Sequence, residues 1–160
     1  MVNAPAVLIC ASTYWRNAWK YQARAYRHCY WDNGTIMANL LAATAARKVP
    51  AKVVVGFVDA AVAELLGLDS KREAPLSLVA LGHTLPQAAA SAPSVEPLAF
   101  ETVPLSKREI DYPVMRAIHE TSSLESEEEV RAWRGHTQEG RRPALRAAEG
   151  NPVRRFACEK

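Results

Sequence analysis

The chain has 160 residues, 49% of them apolar, and a formal net charge of +3. This is enough for one domain with a real core, or one domain plus an appendage. The charge is too small for a generic nucleic-acid binder, which needs a strongly basic face. Three widely spaced cysteines, Cys10, Cys29 and Cys158, have neither a disulfide framework nor metal-ligand spacing, so reduced thiols and a cytoplasmic location are expected.

Ala4 to Ala11 is a nearly continuous apolar run without a basic segment before it. It reads as a strand buried on both faces rather than as a signal peptide. No stretch approaches the ~20 apolar residues that span a bilayer. Trp15 to Trp31 follows, with four basic residues, six Trp or Tyr rings and no carboxylate. Arg16, Lys20, Arg24 and Arg27 step by four, four and three, which predicts one helix with these cations along one side. Such a face can hold an anion or stack on a planar group; equally, it can be a solvated stripe over core aromatics.

Asp32-Asn33-Gly34 reads as a break that can cap the next helix, T-I-M-A-N-L-L-A-A-T-A-A-R-K, which is apolar on several sides and therefore expected to be buried before Pro50 stops it. Lys52 to Phe57 is a second strand. Asp59 is placed to cap a short helix ending at Gly67, and Ala74 to Gly82 is a third apolar strand. Strands and helices in this order indicate an α+β or layered α/β core. Beyond it lies an Ala/Ser/Pro-rich stretch, and Val114 to Trp133 is helix-prone. Ser126 and Glu129 there have capping-box spacing, before a polar, Arg-rich tail from Gly135. The expected organisation is a core over 1–84, a linker over 85–112 and a helical to irregular tail over 113–160.

Chemically, the adjacent Lys20 and Tyr21 can work as an acid–base pair where their surroundings tune them, or can be a solvated Lys beside a packing Tyr. Gly56 ends a predicted strand before a helix, where open sheets bind ligands and a missing Cβ permits close approach; a turn requirement accounts for it equally well. The four histidines, His28, His83, His119 and His136, are dispersed, and no metal site is expected.

Four ordered blocks carry a resemblance: W-K-Y-Q-A-R-A-Y-R-H at 19–28, D-N-G-T-I-M-A-N-L-L-A-A-T-A at 32–45, V-V-V-G-F-V-D-A-A-V-A-E-L-L-G-L-D at 53–69 and E-A-P-L-S-L-V-A-L-G at 73–82. Together they resemble the C-terminal half of a SagB-type dehydrogenase of the FMN-dependent nitroreductase superfamily. The resemblance implies a partial three-layer α+β core, with a central mixed sheet flanked by helices. It implies an FMN-dependent oxidoreductase, as a homodimer or with a partner chain, acting on a modified peptide or a small molecule. In azoline-oxidising members a Lys-Tyr pair, matched by Lys20 and Tyr21, serves catalysis, and oxidation of an azoline needs a base for the proton and a flavin for the hydride. Val55, Gly56 and Phe57 match the segment that meets the flavin ring, and Arg16, Arg24 and Arg27 fall on the substrate or anion side. No Arg-rich phosphate-gripping segment precedes Ala4, so a preceding half or partner is expected to complete the site. The alternative is a non-catalytic scaffold of the same fold. Neither nucleic acid nor membrane is an expected partner.

Overall fold

A computed structural model describes residues 4–82, 96–99, 101 and 103–139; the segment 83–95 and the tail from 140 onward lie outside the described residues. Three strands form one sheet in the order β1 (Ala6–Thr13), β3 (Glu73–Leu81), β2 (Ala51–Val54). Both outer strands run antiparallel to β3, so among the described residues the sheet is antiparallel rather than mixed. The mostly apolar β3 takes the centre, where both faces are covered, and Ala74 through Ala80 are buried. β1, expected to be buried on both faces, is instead an edge strand, with Val7 41% exposed. Its register with β3 shifts between Cys10 and Ala11. The shift leaves Leu76 as the extra residue of a bulge next to Pro75, which has no N–H to give the ladder.

The basic-aromatic segment is not one helix. Helix α1 (Trp15–Tyr21) ends in a 3-10 turn over Gln22–Arg24, and helix α2 (Ala25–Ala46) begins after it. Gln22 has φ 52, a left-handed backbone that no continuous helix allows, so the row from Arg16 to Arg27 is split.

The expected break at Asp32-Asn33-Gly34 does not occur, because α2 runs through it for 22 residues. Its buried residues are Ala25, Cys29, Asn33 and Met37, a narrow stripe at intervals of four. Asn33 sits in that stripe because its Oδ1 accepts a hydrogen bond of 3.0 Å from the Ser77 hydroxyl on β3. This bond outweighs the turn preference of Asn-Gly, and the exposed Gly34 adds only its intrinsic helix penalty of about 1 kcal/mol. Replacing Asn33 by Ala is expected to destabilise the fold by about 1–3 kcal/mol, since the fully buried Ser77 hydroxyl loses its acceptor. In a double-mutant cycle with Ser77→Ala, measured by urea unfolding, the two losses should be less than additive. The segment expected to be a buried helix is not buried: Ile36 is 53% exposed and Leu41 39%.

β2 stops at Val54, shorter than the expected strand, because its pairing with β3 ends at Val54 opposite Leu78. Helix α3 (Asp59–Leu66) ends at Gly67, whose φ of 64 is left-handed. A Cβ there would also meet the Leu98 carbonyl oxygen at 2.7 Å. Asp59 does not cap α3. It is the first helical residue, and its Oδ2 accepts a hydrogen bond from the Leu124 N–H (2.9 Å), while its own N–H donates to the Leu124 carbonyl (3.1 Å). Leu124 lies in the corner between helices α4 (Pro113–Ser122) and α5 (Glu127–Glu139). Half of the expected capping box forms at α5: Glu129 N–H donates to Ser126 Oγ at 3.2 Å, and the Glu129 carboxylate reaches back to the N–H of Glu125 rather than to that of Ser126.

The main core joins Tyr14, Ala18, Ala25, Cys29, Ala74 and Leu76 with Met115 of α4, and a smaller cluster of Val54, Phe57 and Leu78 lies under α3.

Candidate functional site

The turn after β2 places three candidate residues differently. Val55 is 57% exposed, while Gly56 and Phe57 turn inward. Beside this turn lies a cavity of about 520 Å³, whose walls include Tyr26, Tyr30, Phe57, Asp59, His119 and Trp133. The Tyr26 hydroxyl is the hub of its polar side, 3.0 Å from the Tyr30 hydroxyl, 3.2 Å from Ser122 Oγ and 3.5 Å from His119 Nδ1. The His119 ring also stands edge-on to Tyr14.

Burial pushes His119, Asp59, Tyr30 and Tyr14 in the direction of neutrality. It lowers His119 below its usual 6.5, against the pull of the Asp59 and Glu120 charges. It raises Asp59, against the Leu124 N–H bond and the His119 charge. It also raises Tyr30, helped by the bond to Tyr26, and Tyr14. For His119 the unfolded chain binds its proton more readily than the folded one. Its contribution to stability is therefore intact above pH 6.5 and declines as pH falls below 6.5 toward the lowered folded value. Asp59 acts oppositely: its effect favours folding below its ordinary 3.8 and is lost as pH rises through the raised folded value. Thermal melts should accordingly lose stability just below pH 6.5 in the native chain. They should stay flatter over that window in His119→Gln.

The sequence-predicted catalytic pair lies at the α1–α2 joint. Lys20 is exposed, with Nζ 5.1 Å from the centre of the Tyr21 ring, and Tyr21 stacks on His28 at 3.8 Å with an interplanar angle of 17°. His28 in turn meets Trp31 edge-on, and Arg27 lies 5.7 Å over the Trp31 ring. Arg16, Arg24 and Arg27 are all exposed. Lys20 and Tyr21 do not line the cavity beside Gly56, whereas Tyr26 and Tyr30, from the same sequence segment, do. Among the described residues no cluster of His, Cys, Asp or Glu could hold a metal ion, and no helix is long and apolar enough to cross a membrane.

Sequence reasoning missed His119, Asp59 and Trp133 as site residues. The i,i+4 spacing of Tyr26 and Tyr30 was a visible signal for one wall. Nothing local could tie either to His119, 93 residues away from Tyr26.

Trp133 decides whether a planar cofactor fits as the chain stands. A Cβ built on Gly56 would lie 2.6 Å from both Cε3 and Cζ3 of the Trp133 indole. Arg134 Nη2 adds a 2.8 Å hydrogen bond to the Gly56 carbonyl. The close approach that Gly56 permits is thus already made by an aromatic ring of the same chain. A flavin ring does not fit against this turn while α5 is docked.

The sheet order, the helices around it and the glycine turn after β2 define an α+β fold of the nitroreductase kind. Residues 1–83 match the Nitroreductase family, and the chain belongs to that family. A crystal structure from Anabaena variabilis ATCC 29413, described as that of a nitroreductase, superposes with a TM-score of 0.56 at 23% identity. The superposition covers 75% of this chain and 25% of that one, so the chain spans about a quarter of the length of that protein. No curated protein matches the chain.

Proposed function

We propose that the chain is a component of a flavin-dependent oxidoreductase of nitroreductase type, assembled with a second copy or a partner chain and completed by a polypeptide segment that supplies the phosphate-binding half. The family match over residues 1–83 carries this reading. The turn at Gly56 supports it by showing a backbone that accepts an aromatic ring in direct contact. FMN is the cofactor this reading implies, and with α5 docked its ring has no room there. The finer reading is oxidation of an azoline in a modified peptide, with Lys20 and Tyr21 in the proton-transfer roles and Arg16, Arg24 and Arg27 facing an anionic part of the substrate or cofactor.

Exposed apolar side chains on α2 support assembly with a second copy. Among the described residues, Trp31, Ile36 and Leu41 (39% exposed) are left uncovered at separate points around this long helix. Purification of the chain, alone and with the complementary half, tests the proposal in one preparation. The expected outcome is a dimer or heterocomplex that retains FMN, seen as oxidised-flavin absorbance, and that dissociates when Ile36 and Leu41 are changed to Lys. A colourless complex that cannot be reconstituted with FMN would overturn it.

A further inference from the structure

We infer that helix α5 is a built-in occupant of the ring-binding turn at Gly56, so that docking of α5 and binding of a planar aromatic ligand at that turn exclude one another. For the identity of the displaced ligand, FMN, the inference rests on the nitroreductase-type reading above; the contact itself does not depend on it.

The argument begins with space. The six-membered edge of the Trp133 indole fills the space a side chain at Gly56 would take, since a Cβ built there would lie 2.6 Å from Cε3 and Cζ3. A second ring cannot enter between them, because an aromatic ring is already in contact with the glycine backbone and another would need its own van der Waals thickness. The contact is not a chance graze. Arg134, the next residue of α5, donates to the Gly56 carbonyl, so consecutive side chains hold the ring and the peptide of one residue. Trp133 is also a wall of the 520 Å³ cavity, so its withdrawal would open the turn and the cavity together.

The second step is that α5 can leave. Trp133 is 40% exposed, and among the described α5 side chains only Val130 is buried. The first turn carries Glu127, Glu128 and Glu129, a solvated start that contributes little packing. Asp59 pins the corner before α5 through both of its bonds to Leu124, which leaves a fixed pivot, while Val130 is the buried side chain among those described on α5 beyond it. Segments with so few buried anchors open at the low end of the stability range. Because a ligand that needs the open form binds with its affinity reduced by the open fraction, α5 sets the apparent affinity of the turn.

The test uses the full chain and two variants. In the absence of flavin, Gly56→Ala places a Cβ in the Trp133 ring. Hydrogen exchange over residues 127–139 is expected to accelerate while β1, β2 and β3 remain protected; unchanged protection of α5 would overturn the contact as what holds the helix. FMN is then titrated by equilibrium dialysis into the native chain and Trp133→Ala. The variant is expected to bind about tenfold more tightly or better, and FMN is expected to speed α5 exchange in the native chain. Equal affinities, or FMN bound with α5 still protected, would overturn the exclusion and leave the flavin reading standing. Failure of both proteins to bind FMN, even with the complementary half present, would overturn the flavin reading and the exclusion of flavin with it, while the exchange result still decides the contact.

Discussion

Met115→Ala is expected to lower the free energy of unfolding by about 2–5 kcal/mol, the cost of emptying a buried Met site that cannot fully collapse. Met115 is 2% exposed and belongs to the cluster with Tyr14, Ala18, Ala25, Cys29, Ala74 and Leu76. It arrives on α4, far beyond the last strand in sequence, and its N–H is tied to the Tyr112 carbonyl at 2.8 Å. Loss of its side chain leaves a void bordered by α1, α2 and β3 at once. Urea unfolding measures the loss, and Met115→Leu, which nearly conserves volume, should cost less than about 1.5 kcal/mol. A change below about 1 kcal/mol for the Ala variant would show that α4 is only laid against the core rather than part of it.

The second large effect concerns chemistry. On the proposed flavin-dependent reading, Lys20→Ala and Tyr21→Phe are each expected to slow substrate oxidation by the assembled complex about 10²–10⁴-fold, the usual contribution of a positioned acid or base. Stability should hardly change. Lys20 is exposed, and a Phe at position 21 keeps the ring that stacks on His28 at 3.8 Å. Lys20→Arg retains the charge over the Tyr21 ring but not a readily exchanged proton, so it should not restore the rate. Native turnover in both Lys20→Ala and Tyr21→Phe would remove them from the catalytic role. It would leave Lys20, Tyr21 and His28 as the packing of the α1–α2 joint and favour the scaffold reading of the fold.

How legible the site was depends on the distance between partners. Gly56 was visible as a position of close approach, but the ring that approaches it comes from Trp133, on a helix whose sequence pattern carried only its own caps and charges. His119 looked dispersed because Tyr26 and Asp59, which share its cavity, lie on other elements. Asp59 has the composition of a helix cap and instead bonds the backbone of Leu124, 65 residues away. In each case the residue type was informative and the partner was not local.

The sequence by itself determined the order of the three strands and of the helix before Gly67, that Ala74–Gly82 is an apolar strand, and, through its ordered blocks, the family to which residues 1–83 belong. These follow from side-chain period, backbone allowance and the length of apolar runs, all of which are local. The tertiary structure alone decided that α2 passes unbroken through Asp32-Asn33-Gly34, that Ala6–Thr13 is an edge strand, and that α5 sits on Gly56. A turn preference amounts to about 1 kcal/mol or less per residue, and one buried hydrogen bond from Ser77 to Asn33 is enough to reverse it.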